Sequence, residues 1–392
     1  MKTKFERVNI LPPYVFSEIN NLKAKERLKG RDIIDLGMGN PDNGTPKHIV
    51  EKLIQAVKNN KTHRYSVSKG IVGLRRAHSN YYARRFGVKI NYEKEVVVTL
   101  GSKEGLANLA SAISSKGDII LVPDPSYPIH PYGFLIAGAV VKRIKMSDEE
   151  LFLKNLVKSI NKFKNKIKAV VINYPNNPTT KIVDISFYKE LISICRKNNI
   201  WILSDLAYAE IFFDGPPPPS ILQVKNAKDI AVEFTSMSKT FNMPGWRVGF
   251  ASGNKTLIAA LARIKSYLDY GAFTPIQVAA TAALNGPQSY IEDIRKTYKS
   301  RRDVLIDSMS RSGWVIPKPK ATMFAWAPIP KKYSSRGSIF FSKLLLKKAG
   351  LAVSPGVGFG ALGDKHVRIS LVENEQRIRQ ASRNIRNNIN FN

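Results

Sequence analysis

Short, unbroken apolar runs recur through the middle of the chain, at residues 96–99, 118–122, 139–144, 167–173, 200–204, 229–234 and 248–251. Runs of this length with little polar alternation predict strands buried on both faces. Between several of them the apolar positions change to helical spacing, as at residues 104–114 and 185–197. Strands alternating with helices predict an α/β fold. The expected core is a mainly parallel seven-stranded sheet between helices, with its site at the strand carboxyl ends.

The flanking regions follow another rhythm. Residues 16–27 have helical spacing that stops at Gly30, residues 33–38 predict a strand, and Gly39-Asn-Pro-Asp42 predicts a turn. Residues 48–58 and 70–86 predict helices, as do 256–267, 275–284 and a long segment from 289 to about 310. Strands at 323–327 and 367–370, with helices at 338–348 and 375–386, predict a smaller α+β domain. The expected division is residues 1–46 as an arm and part of the small domain, 47–286 as the large domain, and 287–392 as the small domain. Pro216-Pro-Pro-Pro219 cannot enter a central strand and predicts a stiff surface loop. Gly356-Val-Gly-Phe-Gly360 lacks the following helix and acidic residue of a dinucleotide fingerprint.

The chemistry concentrates at the ends of the predicted strands. The stretch Thr235-Ser-Met-Ser-Lys-Thr-Phe-Asn-Met-Pro-Gly-Trp-Arg247 sets Lys239 between two apolar runs, with a polar turn of Ser236, Ser238 and Lys239. A lysine partly withdrawn from water loses its proton more easily and can attack a carbonyl. Two hydroxyls and the planar guanidinium of Arg247 can together hold a phosphate. A loop lysine with ordinary capping serines fits the same residues. The run at 200–204 leads into Asp205-Leu-Ala-Tyr208. A carboxylate there is either a cap or ion-pair partner, or the group that keeps a pyridine nitrogen protonated. The run at 167–173 leads into Tyr174-Pro-Asn-Asn-Pro-Thr-Thr180, a turn that presents the amide of Asn177. Gly101-Ser102-Lys103 sits between a strand and a helix, where free N–H groups make an anion site.

Taken in order, Asn-Pro-Thr, Asp-x-x-Tyr, Ser-x-Ser-Lys and Gly-Trp-Arg-x-Gly resemble the class I aminotransferases, fold type I enzymes dependent on pyridoxal 5'-phosphate. The likeness runs from Leu11-Pro-Pro-Tyr14 to Arg368 and is nearest to the alanine (glutamate–pyruvate) transaminase group. Thr180 departs from it, since many relatives carry glycine there. The resemblance implies that Lys239 holds the cofactor covalently and acts as the catalytic acid and base. It implies that Asp205 keeps the pyridine nitrogen positive, that Asn177 and Tyr208 hydrogen-bond the phenolic oxygen, and that Tyr127 stacks on the ring. Ser102, Lys103, Ser236, Ser238 and Arg247 fall at the phosphate. Arg368, in Val367-Arg-Ile-Ser, falls where the family forks the substrate α-carboxylate, with Gly39 and Asn177 beside it. Tyr65 falls where the family reaches the phosphate of the other subunit, which implies a homodimer with shared sites. Simpler readings stand beside these: Gly39 as a turn glycine, Tyr65 packed on Gly70-Ile71, and Arg368 as a surface charge. The apolar neighbours Val367, Ile369 and Leu371 weigh against the last.

The resemblance implies amino acid and 2-oxo acid substrates. The apolar segment Tyr14-Val-Phe16 favours alanine, and Lys103, which in some aspartate-type relatives reaches a distal carboxylate, favours 2-oxoglutarate. Aspartate, methionine and LL-diaminopimelate are alternative donors, and a β-lyase using the same lysine is an alternative reaction. A regulator that binds nucleic acid through an added domain is the reading from another class.

Composition changes this picture little. The chain has 392 residues, enough for a large core, and its hydrophobic fraction of 43% is ordinary for a globular protein. Cys195 is the only cysteine, so no internal disulfide can form, and a cytoplasmic location is expected. No apolar run reaches membrane-spanning length. Met1-Lys-Thr-Lys-Phe-Glu-Arg has no apolar centre, so no signal peptide is expected. The five histidines do not fall at metal-ligand spacings, and no metal is expected. The formal net charge of +32 is unusual and would favour polyanions. Its lysines and arginines are dispersed and not interleaved with aromatics, so a compositional bias over solvated faces is preferred and no specific nucleic acid is expected.

Overall fold

The computed structural model of the chain describes residues 5–391; residues 1–4 of the expected arm and Asn392 lie outside them. It contains twelve strands: β1 (Ile34–Asp35), β2 (Val96–Thr99), β3 (Ile119–Asp124), β4 (Val140–Lys145), β5 (Ile167–Asn173), β6 (Trp201–Asp205), β7 (Ala231–Ser236), β8 (Gly249–Gly253), β9 (Phe324–Pro328), β10 (Leu351–Ala352), β11 (Ser354–Pro355) and β12 (His366–Ser370). The seven apolar runs of the sequence are the seven strands of one mixed sheet, in the order β2-β8-β7-β6-β5-β3-β4. Strands β4, β3, β5, β6 and β7 run parallel, whereas β8 is antiparallel to both β7 and β2. The reversal follows from the connection. β7 and β8 are sequential neighbours joined without a crossover helix, and only an antiparallel pair permits that.

The two edges of the sheet differ in burial, β2 being buried along its whole length and β4 not. β7 and β8 are buried along their whole length, and β6 along all but Trp201. The edge strand β4 is mostly exposed and carries Lys142, Arg143 and Lys145, charges that discourage edge-to-edge pairing. Helices Ser102–Ile113 and Lys255–Leu268 cover one face through Leu106, Leu109, Leu257 and Leu261. Helices Val72–Phe86 and Ile185–Lys197 lie over the other through Leu74, Tyr82, Phe187 and Leu191. A second core gathers Ile34 and Leu36 with Leu305, Trp314, Phe324, Phe341, Val367, Ile369 and Ile385. Around it stand an antiparallel sheet, β11-β12-β9, and a parallel pair, β1-β10. Among the described residues, no helix is long and apolar enough to cross a membrane.

Several elements differ from the sequence pattern, each for a local reason. The strand expected at 33–38 stops at Asp35, because the Asp35 carboxylate takes the Gly37 N–H at 3.1 Å. The strand expected from Asp229 starts at Ala231; Asn254 Nδ2 donates to the carbonyls of Lys228 and Asp229 and keeps them in a turn. The helix expected from Gly70 starts at Val72. Gly70 has φ +89°, and a Cβ there would lie 2.2 Å from Val98 Cγ2. The expected polar turn at 236–239 is a short helix, Met237–Thr240, capped by the Ser236 side chain. Two helices of eight residues or more escaped the sequence reading. Ile129–Ile136 is masked by Pro131 and Gly133, whereas Glu149–Phe163 does carry helical spacing, burying Phe152, Leu153, Leu156 and Ile160.

One buried acid gives the core a pH dependence. Glu233, inside β7, accepts hydrogen bonds from Tyr82 Oη at 2.9 Å, Ser204 Oγ at 3.1 Å, Ile221 N at 3.2 Å and Ser220 Oγ. Burial nevertheless pushes its carboxyl up from 4.5 to about 7. The folded chain therefore keeps a proton that the unfolded chain loses above 4.5, and this stability is full below that value and lost as pH rises toward 7. Glu233→Gln removes the dependence. Its melting temperature relative to wild type should rise by on the order of 2–4 °C between pH 5 and pH 8. Thermal melts with parallel pH dependences in the two proteins would contradict this assignment.

Candidate functional site

A cavity of about 580 Å³ opens where β5, β6 and β7 end, facing β11, β12 and Phe324 of the second core. Lys239, Asp205, Tyr208, Ser102, Lys103, Tyr127, Asn177, Ser236, Ser238, Arg247, Arg368 and Gly39 all line it. Tyr65 does not: it is 86% exposed, outside the cavity, with its ring against Tyr270 at 4.7 Å between centroids.

The floor is built from strand ends. Asp205 closes β6 and is buried; its Oδ1 accepts the Ala207 N–H at 3.1 Å. Its Oδ2 lies 3.0 Å from His130 Nε2. Asp205 is acceptor-only when ionised, so this nitrogen carries the hydrogen. Asn173 closes β5 and ties three segments together. Its Nδ2 donates to the Asp205 and Pro175 carbonyls at 2.7 and 3.2 Å, and its Oδ1 accepts the Asn177 N–H at 2.9 Å. Thr180, in the same turn, has φ +63°, a backbone conformation in which glycine is free of strain.

Lys239 stands on the one-turn helix between β7 and β8, its amine 5.7 Å from the centre of the Tyr208 ring. Burial lowers the amine from 10.5 to about 8; Asp205 opposes the shift, while Arg247 and Arg368 add to it. Burial raises the phenols of Tyr208 and Tyr127, so both stay protonated near neutrality.

One end of the cavity is arranged for an anion. Helix Ser102–Ile113 points its N-terminus inward behind Gly101, whose φ is +86°. A Cβ on Gly101 would meet Arg247 Nη2 at 2.3 Å, and one on Gly249 would meet Ser102 N at 2.7 Å. Glycine at both positions lets backbone and guanidinium come together. Arg247 donates to the Pro244 and Leu100 carbonyls at 2.8 and 3.2 Å, neutral acceptors that leave its charge uncompensated. Ser236 and Ser238 are buried beside it.

The other end holds Arg368. It is buried on β12, with Nη1 donating to Asn177 Oδ1 at 2.9 Å and Nη2 to Gly37 O at 3.3 Å and Ser354 Oγ at 3.4 Å. Its guanidinium lies 4.1 Å from the Phe324 ring centre and 4.7 Å from that of Phe359. Burial lowers its pKa from 12.5 to about 10, and its Nε has no partner. A Cβ on Gly39 would clash with Phe324 at 2.7 Å, so glycine lets this turn lie against the arginine's platform. A buried guanidinium with only neutral acceptors is costly, and an anionic ligand removes that cost.

Sequence reading missed four residues here. Asn173 offered the same signal as Asp205, a polar residue closing an apolar run. His130 is the only histidine of the apolar helix Ile129–Ile136, so its burial was legible once that helix was recognised. Phe324 and Phe359 are ordinary apolar residues in sequence, and only their position against Arg368 distinguishes them.

Residues 31–385 match the family Aminotransferase class I and II. The chain is 50% identical to the glutamate-pyruvate aminotransferase AlaC of Escherichia coli over 98% of its own length and 93% of that protein's. It is 40% identical to an LL-diaminopimelate aminotransferase of Moorella thermoacetica, over 97% of each. A substrate-bound BacF structure from Bacillus subtilis superposes with a TM-score of 0.94, at 37% identity, over 99% of this chain and 98% of that one.

The electrostatics of Lys239 can be read directly. In cofactor-free protein, acylation of Lys239 followed by mass spectrometry should show a midpoint near pH 8. Removing a neighbouring cation with Arg368→Ala should move it up, and removing the stabilising carboxylate with Asp205→Asn should move it down. A midpoint near the ordinary 10.5 would mean that the cavity does not desolvate the amine.

Proposed function

The chain belongs to the class I and II aminotransferases, and on that premise we propose that it moves an amino group between alanine and 2-oxoglutarate. Enzymes of this family depend on pyridoxal 5'-phosphate, which supplies a carbonyl carbon for the amine and a protonated ring that accepts electrons from the substrate Cα. The observation that carries the proposal is the meeting, in one cavity, of a lysine amine lowered to about 8, a buried carboxylate and a buried arginine with neutral partners only.

The residues present suit the cofactor. Ser236, Ser238, Arg247 and the N–H groups behind Ser102 would hold the phosphate. Asp205, which accepts hydrogen bonds from His130 and Ala207, would hold the proton of the ring nitrogen. Tyr208, protonated because it is buried, would donate to the phenolic oxygen, as would Asn177 Nδ2, since Asn177 Oδ1 is taken by Arg368. Tyr127 would lie against the ring. Lys239 Nζ would hold the carbonyl carbon and, once released by the incoming amine, move the proton at the substrate Cα. Arg368 would fork the α-carboxylate, beside Gly39 and Asn177.

Substrate choice belongs to the same proposal. Phe16, Ile19 and Met38 give the cavity an apolar wall suited to a small side chain, and Lys103 offers a cation for a distal carboxylate. The name of the AlaC relative, glutamate-pyruvate aminotransferase, agrees with this pairing. The proposed assembly is a homodimer in which Tyr65 reaches the partner's phosphate. Exposed Tyr65, Val67, Tyr267, Leu268 and Tyr270 form the kind of apolar surface that a partner covers. The proposed division keeps residues 47–286 as the cofactor-binding domain and joins residues 1–46 to 287–392. A cytoplasmic location completes the proposal, supported by the single buried Cys195.

The test is a panel of amino donors assayed with 2-oxoglutarate. Alanine should lead, and Lys239→Ala should lower its transamination by about 10²–10⁴-fold with loss of the yellow absorbance. If aspartate exceeds alanine by about tenfold in kcat/KM, or about 1.4 kcal/mol, the alanine assignment is wrong. LL-diaminopimelate or methionine in the lead would replace it in the same way. Ammonia release without an oxo acid would point to a lyase.

Shared sites make a separate prediction. Mixing Lys239→Ala with Tyr65→Ala should restore activity in a fraction of heterodimers, because one of their two sites is then intact. No recovery after verified subunit exchange would remove Tyr65 from the partner's site.

A further inference from the structure

The turn from Gly37 to Gly39 lines the cavity beside Arg368, and its carbonyl at Gly37 accepts both Arg368 Nη2 at 3.3 Å and Ser354 Oγ at 2.7 Å. The turn that presents this carbonyl is held by a side chain outside the motifs of the site. Asp35, the last residue of β1, accepts the Gly37 N–H on Oδ1 at 3.1 Å and the Lys23 amine on Oδ2 at 2.5 Å. Arg27 lies 3.8 Å from the same Oδ2. The side chains of Asp35 and Lys23 are only 18% and 13% exposed.

We propose that Asp35, held by Lys23, is a positioning residue for carboxylate recognition by Arg368. The proposal rests on the reading of Arg368 as the carboxylate site. Main-chain bonds already anchor the segment: Ile34 N and Leu36 N donate to Gly350 O and Ala352 O, and Ser370 N donates to Leu36 O. The Asp35 side chain is thus free of the sheet and committed to the turn. The fit there is close, since a Cβ on Gly37 would lie 3.3 Å from Asp35 Oδ1 and 3.5 Å from the Val353 carbonyl carbon. Without the carboxylate, Gly37 N–H loses its acceptor, and the turn at Gly37, whose next peptide presents Gly37 O, loses one of the bonds that hold its backbone angles. Arg368 then keeps its charge and its aromatic platform but loses one of the acceptors that fix its plane.

Lys23 ties the same chain of bonds to helix Val15–Leu28. That helix reaches Arg368 by a second route, because Phe16 meets Phe359 edge-on at 5.3 Å and Phe359 covers the guanidinium. One helix therefore reaches the arginine's surroundings by two routes, through Asp35 to the Gly37 turn and through Phe16 to Phe359.

The experiment is a double-mutant cycle on the holoenzyme. Asp35→Ala should raise KM for both the amino acid and the 2-oxo acid about tenfold and change kcat by less than about threefold, the signature of lost ground-state binding. The Kd of propanoate, an unreactive carboxylate followed through the holoenzyme absorbance, should rise in parallel. Asp35→Asn keeps an oxygen for Gly37 N–H and should recover most of the loss. In an Arg368→Ala background, Asp35→Ala should add nothing. A full, additive effect in that background would overturn the proposal, as would a fall in kcat matched by loss of cofactor or of thermal stability in both Asp35 variants. If Arg368→Ala alone leaves KM unchanged, the reading of Arg368 fails first and takes the positioning role with it.

Discussion

The buried pair of Asp205 and His130, 3.0 Å apart, is the contact around which the cavity is organised. A carboxylate at the end of a buried strand has lost most of its water, and hydrogen-bond donors must replace that water. Here the imidazole and the Ala207 N–H do so from two directions. Asn173 fixes the backbone of the same residue, so the ends of β5 and β6 and the Asn177 turn form one rigid floor. The negative charge on that floor opposes the lowering of the Lys239 pKa that burial and two arginines produce. The outcome, an amine near 8, is a balance between desolvation and three fixed charges.

The reversal of β8 places the lysine. A parallel β8 would need a crossover helix, which would carry residues 237–248 away from the strand ends. The antiparallel pair keeps that segment at the mouth of the sheet, with Lys239 on a single helical turn and Arg247 against Gly101. From there the two arginines face the cavity from different cores, Arg247 beside the sheet and Arg368 on β12. An anion at each end suits a ligand charged at both.

Arg368 shows how the second core serves the site. Its guanidinium is buried between Phe324 and Phe359, where it interacts with the ring faces and is shielded from water. Its hydrogen bonds reach the N-terminal segment at Gly37, the large sheet's turn at Asn177 and the small sheet at Ser354. Segments far apart in sequence therefore meet on one side chain, which is how a charge this buried is kept in a single orientation.

The strands, most helices and the order of motifs were legible in the sequence, because they are written in local periodicity and in which polar residue closes an apolar run. Lys239, Asp205, Asn177 and Arg368 could be singled out on that ground together with the family resemblance. Boundaries failed where a side chain intercepted the backbone, as at Asp35 and Asn254, since one hydrogen bond to a main-chain group ends a strand without changing its pattern. The tertiary structure alone decided which neighbours each charge meets. That His130 faces Asp205, that two phenylalanines enclose Arg368, and that Asp35 grips the Gly37 turn all depend on contacts between distant segments. Local sequence carries no record of such contacts, because they arise only when the strands and the two cores have come together.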